Sequence, residues 1–91
     1  MSGDLPLSVH LKVITPRKLL VDSEAKAVSL PSLEGYIGIL PGHRPLVTAL
    51  GKGEISYQVN QKQEKFSVEG GFAEILPQKI IVFTQLSRDE S

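Results

Sequence analysis

The 91-residue sequence predicts an all-β domain, either a sandwich or a barrel. Segments rich in β-branched and other apolar residues are interrupted by glycine, proline and polar turn residues about every eight to ten positions. Several of these segments alternate apolar and polar side chains, which is the period of a strand with one buried face. No segment sustains the 3.6-residue period of an amphipathic helix. Short strands separated by regular turn signals are typical of all-β sandwiches and barrels.

The first half of the chain is predicted to contain two alternating strands and one short apolar run. Residues 8–14 alternate apolar and polar side chains and are expected to bury one face, whereas residues 25–30 predict a strand with mixed faces. Between them, residues 15–17 predict a turn, and the apolar run at 19–21 is expected to end where polar residues follow it. Pro31 is expected to close the second strand, because proline cannot donate a hydrogen bond to a neighbouring strand.

Further strands are predicted in the second half of the chain. Residues 46–50 predict a short strand that stops at the glycines after it, and residues 54–69 predict a hairpin with a polar centre. Gly70-Gly71 predicts a second tight reversal, because a primed turn needs positive φ at both central residues. A strand is expected at 72–76. Residues 80–84 form a continuous apolar run and predict a strand covered on both faces.

The densest cluster of breakers lies in residues 35–45, which hold three of the eight glycines and two of the six prolines. Glycine permits positive φ and proline fixes φ, so the stretch predicts a short strand that runs into a stiff loop. His43 and Arg44 stand at the loop tip, between Gly42 and Pro45. Such a loop is suited to presenting side chains to a partner. A structural connection in which His43 bonds its own turn is the alternative, and local composition alone favours it.

Composition argues against several classes of function. Ten Lys and Arg residues balance ten Asp and Glu residues, and aromatic residues make up only 5% of the chain. The chain therefore offers neither a basic stripe nor stacking platforms for nucleic acid. Cysteine is absent, which removes disulfides, thiolate metal ligands and a cysteine nucleophile. No apolar run approaches the ~20 residues that span a bilayer, and the N-terminus lacks a secretory-signal pattern, so we expect no direct membrane insertion.

The sequence shows no pattern of catalytic, metal-binding or cofactor-binding residues. Gly35 and Gly38 do not form the glycine fingerprint of dinucleotide-binding proteins, and Gly51-Lys52-Gly53 lacks the spacing of a phosphate-binding loop. His10 and His43 lie on separate elements, and no carboxylates stand at a spacing that would complete a zinc site. His10 is interpreted as an exposed strand residue. We therefore expect no catalytic residues, no metal and no cofactor.

Five segments of the chain match motifs of one known family. They are L-K-V-I-T-P at 11–16, V-S-L-P at 28–31, E-G-Y-I-G-I-L-P-G-H-R-P-L-V-T-A-L at 34–50 followed by Gly53, G-G-F-A-E-I at 70–75, and I-I-V-F at 80–83. The segment at 34–50 is long and specific, and the match extends over most of the chain. On these motifs, residues 9–86 resemble the epsilon subunit of rotary F-type ATP synthases, in its N-terminal domain.

The resemblance implies a flattened β-sandwich of about ten short strands, with a domain at 1–86 and a short tail at 87–91. It implies a non-catalytic subunit of the central stalk. One side would bind the gamma subunit, with some apolar residues of 80–83 facing outward, and the end that includes 35–45 would touch the membrane rotor ring of c subunits. The chain would then couple proton- or sodium-driven rotation to ATP synthesis, as a peripheral membrane protein on the cytoplasmic side of a bacterial inner membrane or its organellar equivalent.

The resemblance also assigns the partner-binding residues. They are Gly35, Tyr36, Ile37, Gly38, Pro41, Gly42, His43 and Arg44. Many members carry an acidic residue where Tyr36 stands, so contact with basic ring loops through a carboxylate is not expected here. Tyr36 is instead expected to bury its ring and offer its hydroxyl, while Arg44 adds a cation at the ring-facing tip.

Members of the family usually carry a C-terminal pair of helices that restrains ATP hydrolysis and, in some members, binds ATP. The sequence ends before such a pair, which leaves open whether the pair is naturally absent or truncated. Ser87 and Glu90 match a capping box that begins a helix, although so short a pattern arises readily by chance. We expect residues 1–91 to couple rotation without inhibiting hydrolysis and without binding ATP.

The alternative from another class is a free-standing, small ligand-binding β-domain. That function requires an interior cavity lined by convergent polar groups. The apolar runs predict a filled core instead, which favours the stalk subunit.

Overall fold

The computed structural model describes residues 7–87, and within this range the chain contains strands and no helix. The strands of this range are β1 Val9–Ile14, β2 Leu19–Ala25, β3 Ala27–Ser32, β4 Gly35–Ile39, β5 Leu46–Ala49, β6 Lys52–Val59, β7 Lys62–Glu69, β8 Phe72–Leu76 and β9 Lys79–Phe83. They form two sheets that pack into a sandwich. The predicted all-β sandwich is confirmed, with nine strands in the described range.

The large sheet has the strand order β2-β1-β9-β8-β5, and the small sheet has the order β4-β3-β6-β7. Neighbouring strands are antiparallel with one exception in the described range, the parallel pair of β1 and β9. That pair joins the first of these strands to the last. The predicted hairpin at 54–69 is confirmed as β6 and β7, and its tight turn contains Asn60 with φ of 57°.

Alternate side chains of both sheets point into one core. Leu11, Ile75 and Ile80 project from the large sheet, Leu30 and Ile55 project from the small sheet, and all five are fully buried. Burial of a Leu or Ile side chain contributes about 1.5–3 kcal/mol, so this layer is the main source of stability. The other buried apolar residues are Val9, Val13, Val21, Ala25, Val28, Ile39, Leu50, Val68, Ala73 and Val82.

Two strands run past the residues that were predicted to end them. β2 continues through Asp22 and Ser23, because it lies at the edge of the large sheet and pairs with β1 over its whole length. β3 continues through Pro31, whose carbonyl oxygen accepts a hydrogen bond from the Gly51 N–H at 2.8 Å. The nitrogen of Pro31 therefore points to the side of β3 that faces away from β4. The absence of an N–H there does not interrupt the hydrogen bonds between β3 and β4.

The prediction that residues 80–84 are covered on both faces is wrong. Ile80 and Val82 are fully buried, whereas Ile81 is half-buried and Phe83 is 41% exposed. The reason is that the sandwich has two layers, so the outer face of the large sheet is not covered by another layer of the described chain.

Gly70 and Gly71 both have positive φ, as predicted, with values of 72° and 99°. They do not form a hairpin, however, because β7 lies in the small sheet and β8 lies in the large sheet. The two glycines carry the chain from one sheet to the other. A β-carbon at Gly71 would collide with the backbone carbonyl of Phe83, whereas nothing lies within 4 Å of a β-carbon at Gly70.

The residues after β9 cover the outer edge of β7. The Glu69 N–H donates to the Gln85 carbonyl at 2.9 Å, and the Ser87 N–H donates to the Ser67 carbonyl at 2.9 Å. Ser87 is only 3% exposed. Glu90, the second residue of the predicted capping box, lies outside the described residues, as do residues 1–6.

We predict that Gly71→Ala destabilises the domain far more than Gly70→Ala. Both substitutions place a side chain at positive φ, which costs about 1–2 kcal/mol. Only Gly71→Ala also forces β9 away from the turn, because of the collision at Phe83. Urea denaturation of both variants measures the difference, and equal losses of stability would contradict this account of the crossover.

Candidate functional site

The candidate site begins at β4, which is an edge strand of the small sheet and, among residues 7–87, pairs with β3 alone. A tight turn connects the two strands. The Ser32 hydroxyl donates to the Gly35 carbonyl at 2.6 Å and accepts a hydrogen bond from the Glu34 N–H at 3.2 Å. Gly35 has φ of 124°, a conformation that strongly favours glycine. The start of β4 is therefore held by both a side-chain bridge and a special backbone conformation.

Tyr36 is 61% exposed in the chain without a partner, so the expected burial of its ring against a partner stays a prediction. Its hydroxyl accepts a hydrogen bond from the Glu54 N–H of β6 at 2.9 Å. The ring reaches β6 because Gly53 has no side chain: a β-carbon there would lie 2.5 Å from the Tyr36 hydroxyl and 2.7 Å from Pro31 Cβ. Tyr36 is thus tethered across β3 rather than free to swing.

The loop after β4 is fastened to the opposite sheet. Gly42 has φ of 89°, and its N–H donates to the Pro77 carbonyl in the β8–β9 turn at 2.7 Å. The His43 N–H donates to the Leu40 carbonyl at 3.2 Å, which closes a turn inside the loop. These contacts support the predicted stiffness of the loop, since they add to the limits that proline places on φ.

The His43 ring bonds its own loop, and the Arg44 side chain extends into solvent. His43 Nδ1 lies 2.7 Å from the Arg44 carbonyl oxygen, which can only accept a hydrogen bond. Nδ1 therefore carries the proton in this geometry, and Nε2 is left for another partner. The alternative in which His43 bonds its own turn therefore agrees with this hydrogen bond. Arg44 is exposed at the surface.

The eight predicted partner-binding residues do not form one compact site. Gly35 and Tyr36 lie at one end of β4, and Gly42 to Arg44 lie beyond the other end. A strand rises about 3.3 Å per residue, so Tyr36 and Ile39 are already about 10 Å apart before the loop begins. Ile37 is half-buried against the core, and Gly38 is exposed with open space where a β-carbon would be.

An apolar patch on the outer face of the large sheet was only partly predicted. Phe72 and Phe83 stack with ring centroids 5.1 Å apart and an interplanar angle of 28°. They are 47% and 41% exposed. Ala49, Phe72, Phe83 and Ile14 occupy register-matched positions on β5, β8, β9 and β1, and we call this row the outer apolar patch. The patch depends on which strands pair and in which register, so no local sequence signal indicates it.

His10 is more than an exposed strand residue, because β2 brings two carboxylates to its ring. His10 Nδ1 lies 2.5 Å from Glu24 Oε2, Nε2 bonds Asp22 Oδ1, and the Ser8 hydroxyl donates to Glu24 Oε1 at 2.6 Å. Hydrogen bonds to Glu24 and then Asp22 raise the pKa of His10, while those from Ser8 and then His10 lower the pKa of Glu24. The arrangement favours an imidazolium that clamps β2 to β1.

Other kinds of site find little support in the described residues. Within residues 7–87, no group of three or more His, Cys, Asp or Glu side chains is arranged to hold a metal ion. Three depressions on the described surface, one of them beside Phe72, Phe83 and the Gly70-Gly71 crossover, are open to solvent. A ligand-binding domain would require convergent polar groups in a more enclosed cavity.

We predict that the His10 clamp makes stability depend on pH. Because the folded pKa of His10 is raised above about 6.5, its contribution is full below that pH and is lost as pH rises through the folded pKa. The lowered pKa of Glu24 acts in the opposite sense, so its contribution is lost as pH falls through the folded pKa of Glu24.

The measurement is urea denaturation of the wild type and His10→Gln at pH values from below about 6.5 to above the folded pKa of His10. The stability difference between them should shrink on the alkaline side. In an Asp22→Asn/Glu24→Gln background, the effect of His10→Gln should lose most of its pH dependence, since the carboxylate charges that stabilise the imidazolium are gone. A difference that is constant with pH in the wild-type background would refute the clamp.

We also predict that Gly42→Val costs about 1–2 kcal/mol of stability, because valine must adopt positive φ there. Gly38→Val is the matched control, since its β-carbon meets no atom within 4 Å and valine suits a strand. Thermal and urea unfolding compare the two. If Gly38→Val proves the more damaging substitution, the stiffness of the loop does not depend on Gly42.

Comparison with known proteins gives a consistent result. Residues 8–86 match the family described as "ATP synthase, Delta/Epsilon chain, beta-sandwich domain". The chain is 42% identical over 76 residues to the ATP synthase epsilon chain of Koribacter versatilis, a match that covers 84% of this chain and 54% of the relative. It is 37% identical over 83 residues to that of Solibacter usitatus, covering 91% of this chain and 62% of the relative. The chain therefore spans little more than half the length of these relatives.

Solved structures share the fold at lower identity. A chain of the Euglena gracilis mitochondrial ATP synthase OSCP/F1/c-ring structure has a TM-score of 0.83 at 22% identity, covering 92% of this chain and 54% of that one. A chain of the Tetrahymena thermophila central stalk/c-ring structure has a TM-score of 0.71 at 13% identity, covering 85% and 63%. Together with the match over residues 8–86, these findings show that the chain belongs to the family of ATP synthase delta/epsilon chain β-sandwich domains.

Proposed function

We propose that the chain is a non-catalytic rotor subunit of the central stalk of an F-type ATP synthase. In this role it couples the gamma subunit to the membrane rotor ring of c subunits, so that proton- or sodium-driven rotation is transmitted to ATP synthesis. The observation that carries the proposal is the family match over residues 8–86. The two similar structures, an OSCP/F1/c-ring complex and a central stalk with its c-ring, support it.

The outer apolar patch suits the gamma subunit. Exposed aromatic residues are enriched among the side chains that dominate stable protein interfaces, and Phe72 and Phe83 offer a preformed stacked pair. The patch lies on the outer face of the large sheet beside an open depression, and an exposed apolar patch of this kind fits a folded protein better than a small molecule. A standard stable interface on this face would bury roughly 1,200–2,000 Å².

The stiff loop after β4 suits the polar loops of the rotor ring. It presents the Arg44 cation and the free His43 Nε2, and its contact with Pro77 limits the loss of conformational entropy on binding. The domain measures 47 Å along its longest axis. Because the outer apolar patch lies toward the other end of the large sheet, one rigid body can hold both partners at once.

The proposed location follows from these partners. We place the chain at the membrane surface as a peripheral protein, on the cytoplasmic side of a bacterial inner membrane or the organellar equivalent. Within residues 7–87, no helix is long and apolar enough to cross a bilayer. Its attachment would then depend on the ring.

We predict that Phe83→Lys weakens binding to the gamma subunit of a related bacterial ATP synthase by at least tenfold. The charge would break the stacked pair at the centre of the patch and remain unpaired in the interface. Ser56→Lys, on the small sheet, is the matched control and should leave binding unchanged. Calorimetric titration measures both. Unchanged binding by Phe83→Lys would place the gamma contact elsewhere.

We predict that Arg44→Glu and His43→Ala weaken association with purified rotor rings while the β spectrum in circular dichroism stays unchanged. Tyr36→Phe, which removes only the hydroxyl at the other end of β4, separates the two ends of the predicted site. If Tyr36→Phe weakens ring binding and the loop variants do not, the turn end of β4 faces the ring instead. Loss of fold in His43→Ala would assign His43 to structure.

A further inference from the structure

β4 differs from the other sheet edges of the described chain in having little protection against an added strand. Charged side chains, covering segments and short length are the usual protections of an edge. β7 carries several charges and is covered by residues 85–87, β2 carries Asp22 and Glu24, and β5 has four residues directly after Pro45. β4 reads Gly-Tyr-Ile-Gly-Ile, pairs regularly with β3 and has no charge, proline or bulge.

The backbone of β4 is oriented to accept a partner strand. The Pro31 carbonyl is bonded to Gly51 on the far side of β3, so Pro31 and Tyr36 form a non-hydrogen-bonded pair. In such a pair, the N–H and C=O groups of both residues point away from each other. The backbone groups of Tyr36, and by the two-residue period those of Gly38, therefore face the open edge.

We propose that β4 pairs with β4 of a second copy of this chain, antiparallel and around a two-fold axis at Ile37. In this register Tyr36 lies opposite Gly38 of the second copy, and each such pair can exchange both of its N–H···O bonds. The half-buried Ile37 meets its own symmetry mate, so two β-branched side chains pack across the axis. The two small sheets become one continuous sheet.

Side-chain size supports this register over its neighbours. Gly38 has open space at its β-carbon position, and the Tyr36 ring is tethered over β3 by the Glu54 N–H, so neither obstructs the edge. An axis at Tyr36 would place the two tyrosines opposite each other. An axis at Gly38 would place two glycines opposite each other and leave nothing to pack.

Charge at the two ends of β4 supports a second copy as the occupant. Glu34 directly precedes β4 and Arg44 follows it in the loop, and both are exposed. An antiparallel copy places its own Glu34 toward the 40–44 segment of the first copy, and the reverse holds at the other end. Each acidic turn then faces the segment that carries the arginine, and the contact is complementary to itself.

The dimer should be weak, because a single five-residue strand pair buries less than the roughly 1,200 Å² of a standard interface. The experiment is sedimentation velocity of the full chain from micromolar to millimolar concentration, with amide hydrogen exchange at both limits. We expect a concentration-dependent dimer in which the Tyr36 and Gly38 amides become selectively protected. A monomer at all concentrations, or protection that leaves these two amides unchanged, would overturn the proposal.

Two sets of variants test the geometry. Gly38→Pro removes an N–H that the β3 ladder does not use and should reduce dimerisation at least tenfold, whereas Gly38→Ala keeps the N–H and should dimerise. Glu34→Lys should weaken the dimer, and Glu34→Lys/Arg44→Glu should restore it, which keeps the test decisive if Gly38→Pro fails to fold. If neither set of variants changes dimerisation, β4 is not the contact between the two copies. The proposal goes beyond the stalk function, and no binding to gamma or the ring enters its test.

Discussion

The domain depends on the parallel pairing of its first described strand with its last. β1 lies inside the large sheet between β2 and β9. Its inward residues Val9, Leu11 and Val13 are fully buried in the core. These partners are distant in sequence, so bringing them together costs loop-closure entropy that only the assembled core repays. Folding of such a non-local topology is expected to be slow and cooperative, with few stable parts that form before the whole.

Sequence patterns sufficed for the fold class and for most strands, because period-two burial is a local signal. The inward set of β1 follows from the alternation at residues 8–14. The errors arose where a neighbour decides the outcome. Asp22 continues a strand because β2 is an edge with one solvated face, and Pro31 continues a strand because its missing donor lies on the side away from β4. Neither the edge position of β2 nor the orientation of Pro31 can be predicted from the neighbouring residues in the sequence.

The candidate surfaces were less predictable than the fold. The stiffness of the loop follows from its glycines and prolines, and the structure adds a contact to Pro77 that no spacing could indicate. The outer apolar patch and the His10 clamp both depend on the register between strands. The carboxylates that hold His10 lie 12 and 14 residues further along the chain, and Phe72 meets Phe83 only because β8 and β9 pair in one register. A one-residue slip would have turned each residue to the other face.

The segment at 85–87 that covers β7 has a consequence for polymerisation. A sheet with two open edges can add copies indefinitely and grow into a filament, which is the usual danger of exposed strands. In the small sheet one edge is already occupied by the chain itself, through the Glu69 and Ser87 N–H groups. Addition of a strand from another copy is therefore limited to β4 in the small sheet, so pairing through this sheet ends at two copies.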